Sequence, residues 1–400
     1  MDRPSVILWN EMRCKTCARA RAYLDGRDIL WQNADLEPRG EHNSYLPVSQ
    51  AVQRGWKAIQ KRVAASGLQP GVFPVLETPD SLFVGFDIAT YDAILGLAPS
   101  PVLHPREALE ALAAGALFVV SHSGGKDSQA MLLRVRQLIP AERIVVVHVE
   151  MHEMEWPGTA EHALYATLLA GIPENRFFRL KAAENLLEMV YRRRQDRPDV
   201  PSWPSSVYRT CTSGLKRTPI ENFMDWITAA EGWPMIVDVE GLRADESADR
   251  AGEAAWEPHR QYGVRCTKEG MVAKVPRNWW RWLPIKHLDT AEVFATIAQF
   301  GQVPHWAYAA GNERLSCMFC ILGRLDDLRN AAIHNPELYA RYVQAERDTG
   351  WTMGTRKLKG EILQHPLEER LKLTVEEAWR QHDAIYGSSA RRRLSTVRNA

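Results

Sequence analysis

The stretch Phe118-Val119-Val120-Ser121-His122-Ser123-Gly124-Gly125-Lys126-Asp127-Ser128 constrains this chain more than any other. An apolar run of β-formers leads through a Ser-Gly-Gly turn into a helical segment carrying Met131, Leu132, Leu133 and Val135. Such a turn opens an anion site. Glycines let the backbone approach phosphate oxygens without a Cβ clash. Several N–H groups and the positive end of the helix then face the anion. Ser121, Ser123, Gly124, Gly125 and Ser128 are the expected cradle, and the two flanking serines Ser123 and Ser128 add hydroxyl donors. Lys126 supplies a point charge, and Asp127 is placed to hold a magnesium ion on the phosphates. The spacing is not G-x-x-x-x-G-K-[ST], so this is a different phosphate loop from that of P-loop NTPases.

A fold class follows from what comes next. Ile144 to Val149 is a second buried strand one helix after the first, as a βαβ unit requires. Met235 to Val239 is another. The former ends in Glu150 to Thr159, with Glu155, and the latter leads into Gly241-Leu242-Arg243-Ala244-Asp245-Glu246-Ser247, with Arg250 after it; between them Arg209 to Lys216, with Cys211, precedes a helix through Ile220 and Phe223. Charged loops on one edge of a parallel sheet are where ligands bind. The expectation is an α/β protein with a Rossmann-like sheet.

Composition excludes several classes. Of 400 residues, 45% are apolar and 25% charged, as in a globular protein with a core. Lys and Arg number 50 against 49 Asp and Glu, which excludes a blanket of positive charge but leaves a local basic patch open. No apolar run approaches the roughly 18–20 residues of a membrane span, and the first residues lack the apolar core of a signal peptide. A cytoplasmic location, without a membrane partner, is expected. Six cysteines are too few for a disulfide scaffold, and four form the pairs Cys14/Cys17 and Cys317/Cys320.

The loop Ser123-Gly124-Gly125-Lys126-Asp127-Ser128 is identified as the S-G-G-x-D-S loop of the PP-loop ATP pyrophosphatase superfamily. Within it the chain resembles the phosphoadenosine phosphosulfate (PAPS) reductase family over roughly residues 107–350. The matching elements are that loop, Glu155-Trp156-Pro157-Gly158-Thr159, Cys211 to Lys216, Gly241-x-Arg243-x-x-Glu246-Ser247, Pro284-Ile285, and Gly311-x-x-Arg314-x-x-Cys317-x-x-Cys320. True PAPS reductases have lost the intact loop and carry a cysteine near the C-terminus, whereas no cysteine follows Cys320. In loop type the chain is closest to ATP sulfurylase small subunits and DNA phosphorothioation sulfurtransferases. The resemblance implies ATP with Mg2+, cleaved between its α and β phosphates to adenylylate a substrate in sulfur transfer. Glu155, Gly241, Arg243, Glu246 and Ser247 are then nucleotide-site residues. Lys126, Lys216 and Arg243 stabilise the developing charge.

The prolines of Ala98 to Pro105 cannot continue a helix or a central strand, so a linker is expected over 98–106. Before it, Val6 to Trp9 is a strand, followed by Cys14-Lys15-Thr16-Cys17 opening a helix. That arrangement lowers the pKa of the first cysteine, with Arg13 and Lys15 adding to the effect. With Phe73-Pro74-Val75 and Phe83 to Asp87, the segment 1–97 resembles the glutaredoxin branch of the thioredoxin fold. By that resemblance Cys14 attacks, Cys17 resolves and Pro74 is the cis-proline. Half of a zinc site, or a domain that only docks a partner, remain the alternatives.

The resemblance also brings Cys211 together with Cys317 and Cys320. Three or four thiolates suit an iron–sulfur cluster, [4Fe-4S] by expectation, with Cys266 as the candidate fourth. Zinc, and three buried residues without metal, are the other readings. Arg277-Asn278-Trp279-Trp280-Arg281-Trp282 interleaves cations with rings, as single-stranded nucleic-acid binders do; aromatic core with snorkelling arginines is the favoured reading. The layout expected is a PP-loop domain over 107–290, a mostly helical region over 291–387 packed by Tyr339, Tyr342 and Trp351, and a basic tail over 388–400. Partners are a nucleotide and an unidentified sulfur or acceptor substrate. A homo-oligomer remains open. Two other functions stay in view: an oxidoreductase reducing an adenylyl-sulfate substrate through Cys14/Cys17, and a nucleic-acid-modifying protein of a phage or defence system.

Overall fold

The computed structural model describes residues 6–11, 14–35, 50–97, 100–259, 262–266, 272–358 and 361–387. The readings for Arg13, for part of the linker and for the tail 388–400 lie outside the described residues.

The protein is α/β, built on a six-stranded sheet. Its strands are β5 (Leu117–Ser121), β6 (Ile144–Glu150), β7 (Phe177–Lys181), β8 (Ile236–Val239), β9 (Trp256–Pro258) and β12 (Trp279–Trp282), in the order β7-β6-β5-β8-β12-β9. All neighbours are parallel except the edge pair β12–β9. Strands buried on both faces read as continuous apolar runs, and the pleat sorts them. Phe118, Val120, Ile144 and Val146 pack with Met131 and Leu132 of α5 (Lys126–Arg136) and with Val293 and Ile297 of α10 (Thr290–Gln299). Leu117, Val119, Val145 and Val147 pack with Phe223, Met224 and Ile227 of α8 (Thr218–Glu231). Helix α10 thus belongs to the layer flanking the sheet.

From β5 the chain builds outward to β6 and β7, then returns to lay β8 and β12 on the other side. The reversal between β5 and β8 is a topological switch point, the place in an open α/β sheet where ligands bind. The Ser123–Ser128 loop follows β5, and Gly241-Leu242-Arg243 follows β8.

A second sheet joins β1 (Val6–Asn10), β2 (Trp31–Asp35), β3 (Val75–Glu77) and β4 (Leu82–Val84) in the order β2-β1-β3-β4. Only the β1–β2 pair is parallel, bridged by α1 (Lys15–Gly26). Helix α2 (Gln50–Ala65) covers one face through Ile59 and Val63. The Phe73–Pro74 bond before β3 is cis, and α3 (Ile88–Leu95) follows β4 under an Asp87 cap.

This sheet is docked on the larger body. Val6, Leu8 and Tyr23 share a core with Ala244, Ala255 and Leu283. The proline-rich stretch read as a linker is itself packed: Leu103 is fully buried, its N–H donates to Pro284 O, and the Trp282 indole donates to Leu103 O. Proline ends regular structure but does not prevent burial when a partner satisfies the flanking backbone. Helix α4 (Pro105–Ala113) follows.

Helices α6 (Thr159–Leu169), α7 (Leu186–Asp196) and the short α9 (Ala248–Gly252) complete the central body. The C-terminal part holds α11 (Trp306–Ala309), α12 (Leu325–His334), α13 (Pro336–Thr349), α14 (Leu367–Leu371) and α15 (Val375–Tyr386). Tyr339 and Tyr342 are buried against Phe319, and Trp351 packs on the same core. Two hairpins, β10 (Tyr262–Cys266) with β11 (Val272–Pro276) and β13 (Arg356–Leu358) with β14 (Glu361–Leu363), sit outside the sheets.

Candidate nucleotide and thiol site

The Ser123–Ser128 loop is shaped from within. Gly124 has φ +77°, and a Cβ there would stand 2.5 Å from Thr159 Cγ2, so only glycine fits. The Ser123 N–H donates to Ser128 Oγ at 3.2 Å and the Gly124 N–H to His122 Nδ1 at 3.0 Å. The first helical N–H, of Lys126, donates to the Tyr308 hydroxyl at 2.9 Å. Ser121 Oγ and His122 Nε2 are buried with no bond among the described residues. Burial pushes His122 down to about 3, helped by His148 and His162, so its ring is neutral and accepts from Gly124. His148 braces the loop from β6: Nδ1 donates to His122 O at 2.8 Å, and Nε2 lies 3.3 Å from Glu155 Oε2. Burial opposes charge on His148, but the Glu155 bond and charge outweigh it and raise its pKa.

Asp127 lies in the first turn of α5 between two cations. Lys126 Nζ is 3.0 Å from Oδ2, and Arg243 Nε is 2.7 Å from Oδ1. Gly241 makes this closeness possible, because a Cβ there would lie 3.0 Å from the Asp127 carbonyl oxygen and 3.2 Å from Ser128 N. Arg243 is 3% exposed and gives its other donors to Asp245, Leu288 O and Thr290. Burial opposes its charge, and Asp127, Asp245 and Glu246 more than offset that. The sequence reading places Arg243 on the phosphate charge. In the structure four of its five N–H donors go to protein acceptors, Asp127 among them. Glu246 accepts the Arg243 N–H, pairs with Arg250, and reaches Arg314 Nη2 at 3.4 Å. Ser247 caps α9 by accepting the Arg250 N–H.

No protein-family profile matches this sequence. An uncharacterized 37.8 kDa protein of Escherichia phage 186 is 30% identical over 145 residues, 36% of this chain and 39% of that protein. The chain therefore matches well under half the length of that relative. Among solved structures, phosphoadenylyl-sulfate (PAPS) reductase from Candida auris, in a phosphate complex, covers 58% of this chain and 95% of its own, at 14% identity and a TM-score of 0.32.

The thiols gather further along the same edge. A wide π-helical turn, Cys211–Arg217, precedes α8, a geometry often found at functional sites. It brings Lys216 among Cys317, Cys320 and Cys211, whose field raises the lysine's pKa against the cost of burial. Burial raises Cys211 and Cys317 in turn, with Lys216 opposing. Lys216, expected from sequence to stabilise the developing charge, lies among these thiols. Cys266 lies at the end of β10, its side chain outside the described residues. Glu155, bonded to His148, also acts on Cys317 and so joins the loop to the thiols.

Cys14 and Cys17 form a disulfide, with Cys14 as N-cap of α1. Arg19, one turn on, donates Nε to His287 O at 2.8 Å, Nη1 to Asp289 at 2.9 Å and Nη2 to Glu292 at 2.5 Å. Lys15 and Arg19 both act on Asp245, which burial raises. The C-x-x-C end of α1 therefore faces the Arg243–Asp245 side of the loop.

The tryptophan-rich stretch is core. Trp279 and Trp282 are buried, Arg281 is ringed by Glu240, Glu253 and Glu257, and Arg277 pairs with Asp225. Sequence reasoning missed His148 and Tyr308 and left Arg314 without a role. A lone histidine in a strand, or a tyrosine among alanines, carries no local signal of its partner.

Proposed function

We propose that this chain binds ATP with Mg2+ on the Ser123–Ser128 loop and cleaves it between the α and β phosphates, adenylylating an acceptor in sulfur-transfer chemistry. The observation that carries the reading is the loop's place at the β5–β8 switch point, with Lys126 and Asp127 in its first helical turn and a lysine-centred group of thiols on the same edge. An acceptor oxygen attacks the α phosphorus, the bond to the bridging oxygen of the β phosphate breaks, and pyrophosphate leaves with that electron pair. Lys126 offsets the charge that develops there. Arg243 holds Asp127 in place.

Asp127 would hold the Mg2+. The ion usually takes one or two carboxylates plus phosphates and keeps several waters, and Asp127, a quarter exposed, fits that pattern. The ion supplies neutralisation of the phosphate charge. Cys211, Cys317 and Cys320 would hold an iron–sulfur cluster, with Cys266 as a further ligand; it supplies thiophilic iron for a sulfur substrate. Three thiols around one lysine are a donor set suited to a cluster. No helix among the described residues is long and apolar enough to cross a membrane.

A second reading is favoured by the docked disulfide end of α1. By analogy with the thioredoxin fold, reduced Cys14 and Cys17 would deliver two electrons to an adenylyl-sulfate substrate, becoming a disulfide as sulfite leaves. Calorimetry on anaerobically purified full-length protein separates the readings. The first expects binding of ATP with Mg2+ that is lost in Asp127→Ala. A preference for PAPS overturns it and puts the reductase first.

A further inference from the structure

The Tyr308 hydroxyl occupies a place no other side chain takes among the described residues: it meets the first free N–H of the phosphate-loop helix. That N–H, of Lys126, is one of the orphan donors with which a helix start serves an anion. Tyr308 stands on α11, fixed by a Trp306 indole bond to Pro157 O at 2.8 Å and by an edge contact with Phe294 at 5.6 Å. The Lys126 ammonium lies 5.7 Å from its ring centroid.

The hydrogen bonds of the phenol leave one function unused. A phenol oxygen has two acceptor positions and one proton. The Lys126 N–H fills one position at 2.9 Å, and the Leu315 N–H bears on the other. Burial raises the pKa, so the proton stays on. No acceptor among the described residues takes that proton. The charges acting on the same oxygen are Asp127 and Arg314. A donor held between the loop helix, Lys126 and Arg314 is suited to an anion.

We propose that Tyr308 is a phosphate-binding residue, holding the Lys126 N–H while donating its own proton to a non-bridging oxygen of the pyrophosphate portion of the nucleotide. The proposal rests on the nucleotide reading above. It also ties phosphate binding to Leu315, two residues before Cys317, so the loop and the thiol segment share one rivet.

The test is calorimetry of Mg2+-pyrophosphate and, separately, AMP on the full chain and on Tyr308→Phe. The expected result is a roughly tenfold or greater loss of pyrophosphate affinity, the effect of one hydrogen bond to a charged group, with AMP affinity unchanged. Unchanged pyrophosphate affinity makes Tyr308 a structural rivet only and overturns the proposal. Tighter binding also overturns it, because the phenol then competes with phosphate. If the wild-type chain binds neither ligand, the nucleotide reading fails and the proposal with it, an outcome distinct from a wild type that binds and a variant that is unaffected. A nearly isosteric fluorotyrosine at 308 keeps the fold testable: its more acidic hydroxyl tightens pyrophosphate binding if it donates and weakens it if it only accepts.

Discussion

Arg19 carries the attachment of the N-terminal sheet, and Arg19→Met measures it. Methionine retains an apolar stem and removes the guanidinium. The buried bond from Nε to His287 O is lost, leaving a carbonyl without its partner at a cost of about 1–3 kcal/mol. Asp289 and Glu292 have side chains 37% and 35% exposed. They also stay engaged as the capping box of α10, so each lost ion pair adds at most about 0.5 kcal/mol. The contact of Arg19 over the Phe86 ring, at 5.0 Å, adds about 0.5 kcal/mol more. The sum is about 3 kcal/mol, on the order of 100-fold in an opening equilibrium. Amide hydrogen exchange reads that opening. Protection across α1 should fall by about that factor, while β5 and β6 keep theirs. Protection of α1 within about threefold of wild type would falsify the idea that Arg19 is the lock, leaving the shared apolar core of Leu8, Tyr23 and Leu283 to hold the sheet.

Gly241→Ala places a Cβ against three backbone atoms of Asp127 and Ser128. It should cost about 1–3 kcal/mol in thermal stability and weaken ATP binding by moving the first turn of α5; wild-type melting and affinity together would refute the packing argument. The two loop histidines should titrate on opposite sides of the ordinary value of 6.5. His122 is depressed, so its contribution to stability is complete above pH 6.5 and fades as pH falls toward about 3. His148 is raised, so its contribution is complete below 6.5 and is lost as pH climbs through its higher folded value. Ring-proton NMR against pH checks both, and coincident midpoints near 6.5 would sink the loop electrostatics.

Much of the fold was legible because its signals are local. The unbroken apolar runs Phe118-Val119-Val120 and Ile144 to Val147 report strands buried on both faces, and Ser-Gly-Gly-Lys-Asp-Ser reports its own backbone shape. The α/β class and the helical C-terminal region were readable in this way. The packed segment around Leu103 was not, because prolines announce the end of regular structure and say nothing about what covers it. Nor was the tryptophan stretch settled: Trp279 and Arg281 look alike on a groove and in a core until Glu240, Glu253 and Glu257 are placed around them.

Sequence by itself determined the side chains on offer: a glycine-rich loop between a strand and a helix with Lys126 and Asp127 beside it, a C-x-x-C at a helix start, and cysteines at Cys211, Cys317 and Cys320. Tertiary structure alone decided the pairings. Asp127 meets Arg243 across 116 residues, Lys126 meets Tyr308 across 182, and Arg19 meets Asp289 across 270. Lys216 lies among Cys211, Cys317 and Cys320. The physical reason is that residue types and spacing set the backbone over a few turns, whereas partners at such separations are chosen by strand order, and the return of the chain from β7 to β8 is a property of the whole packed sheet.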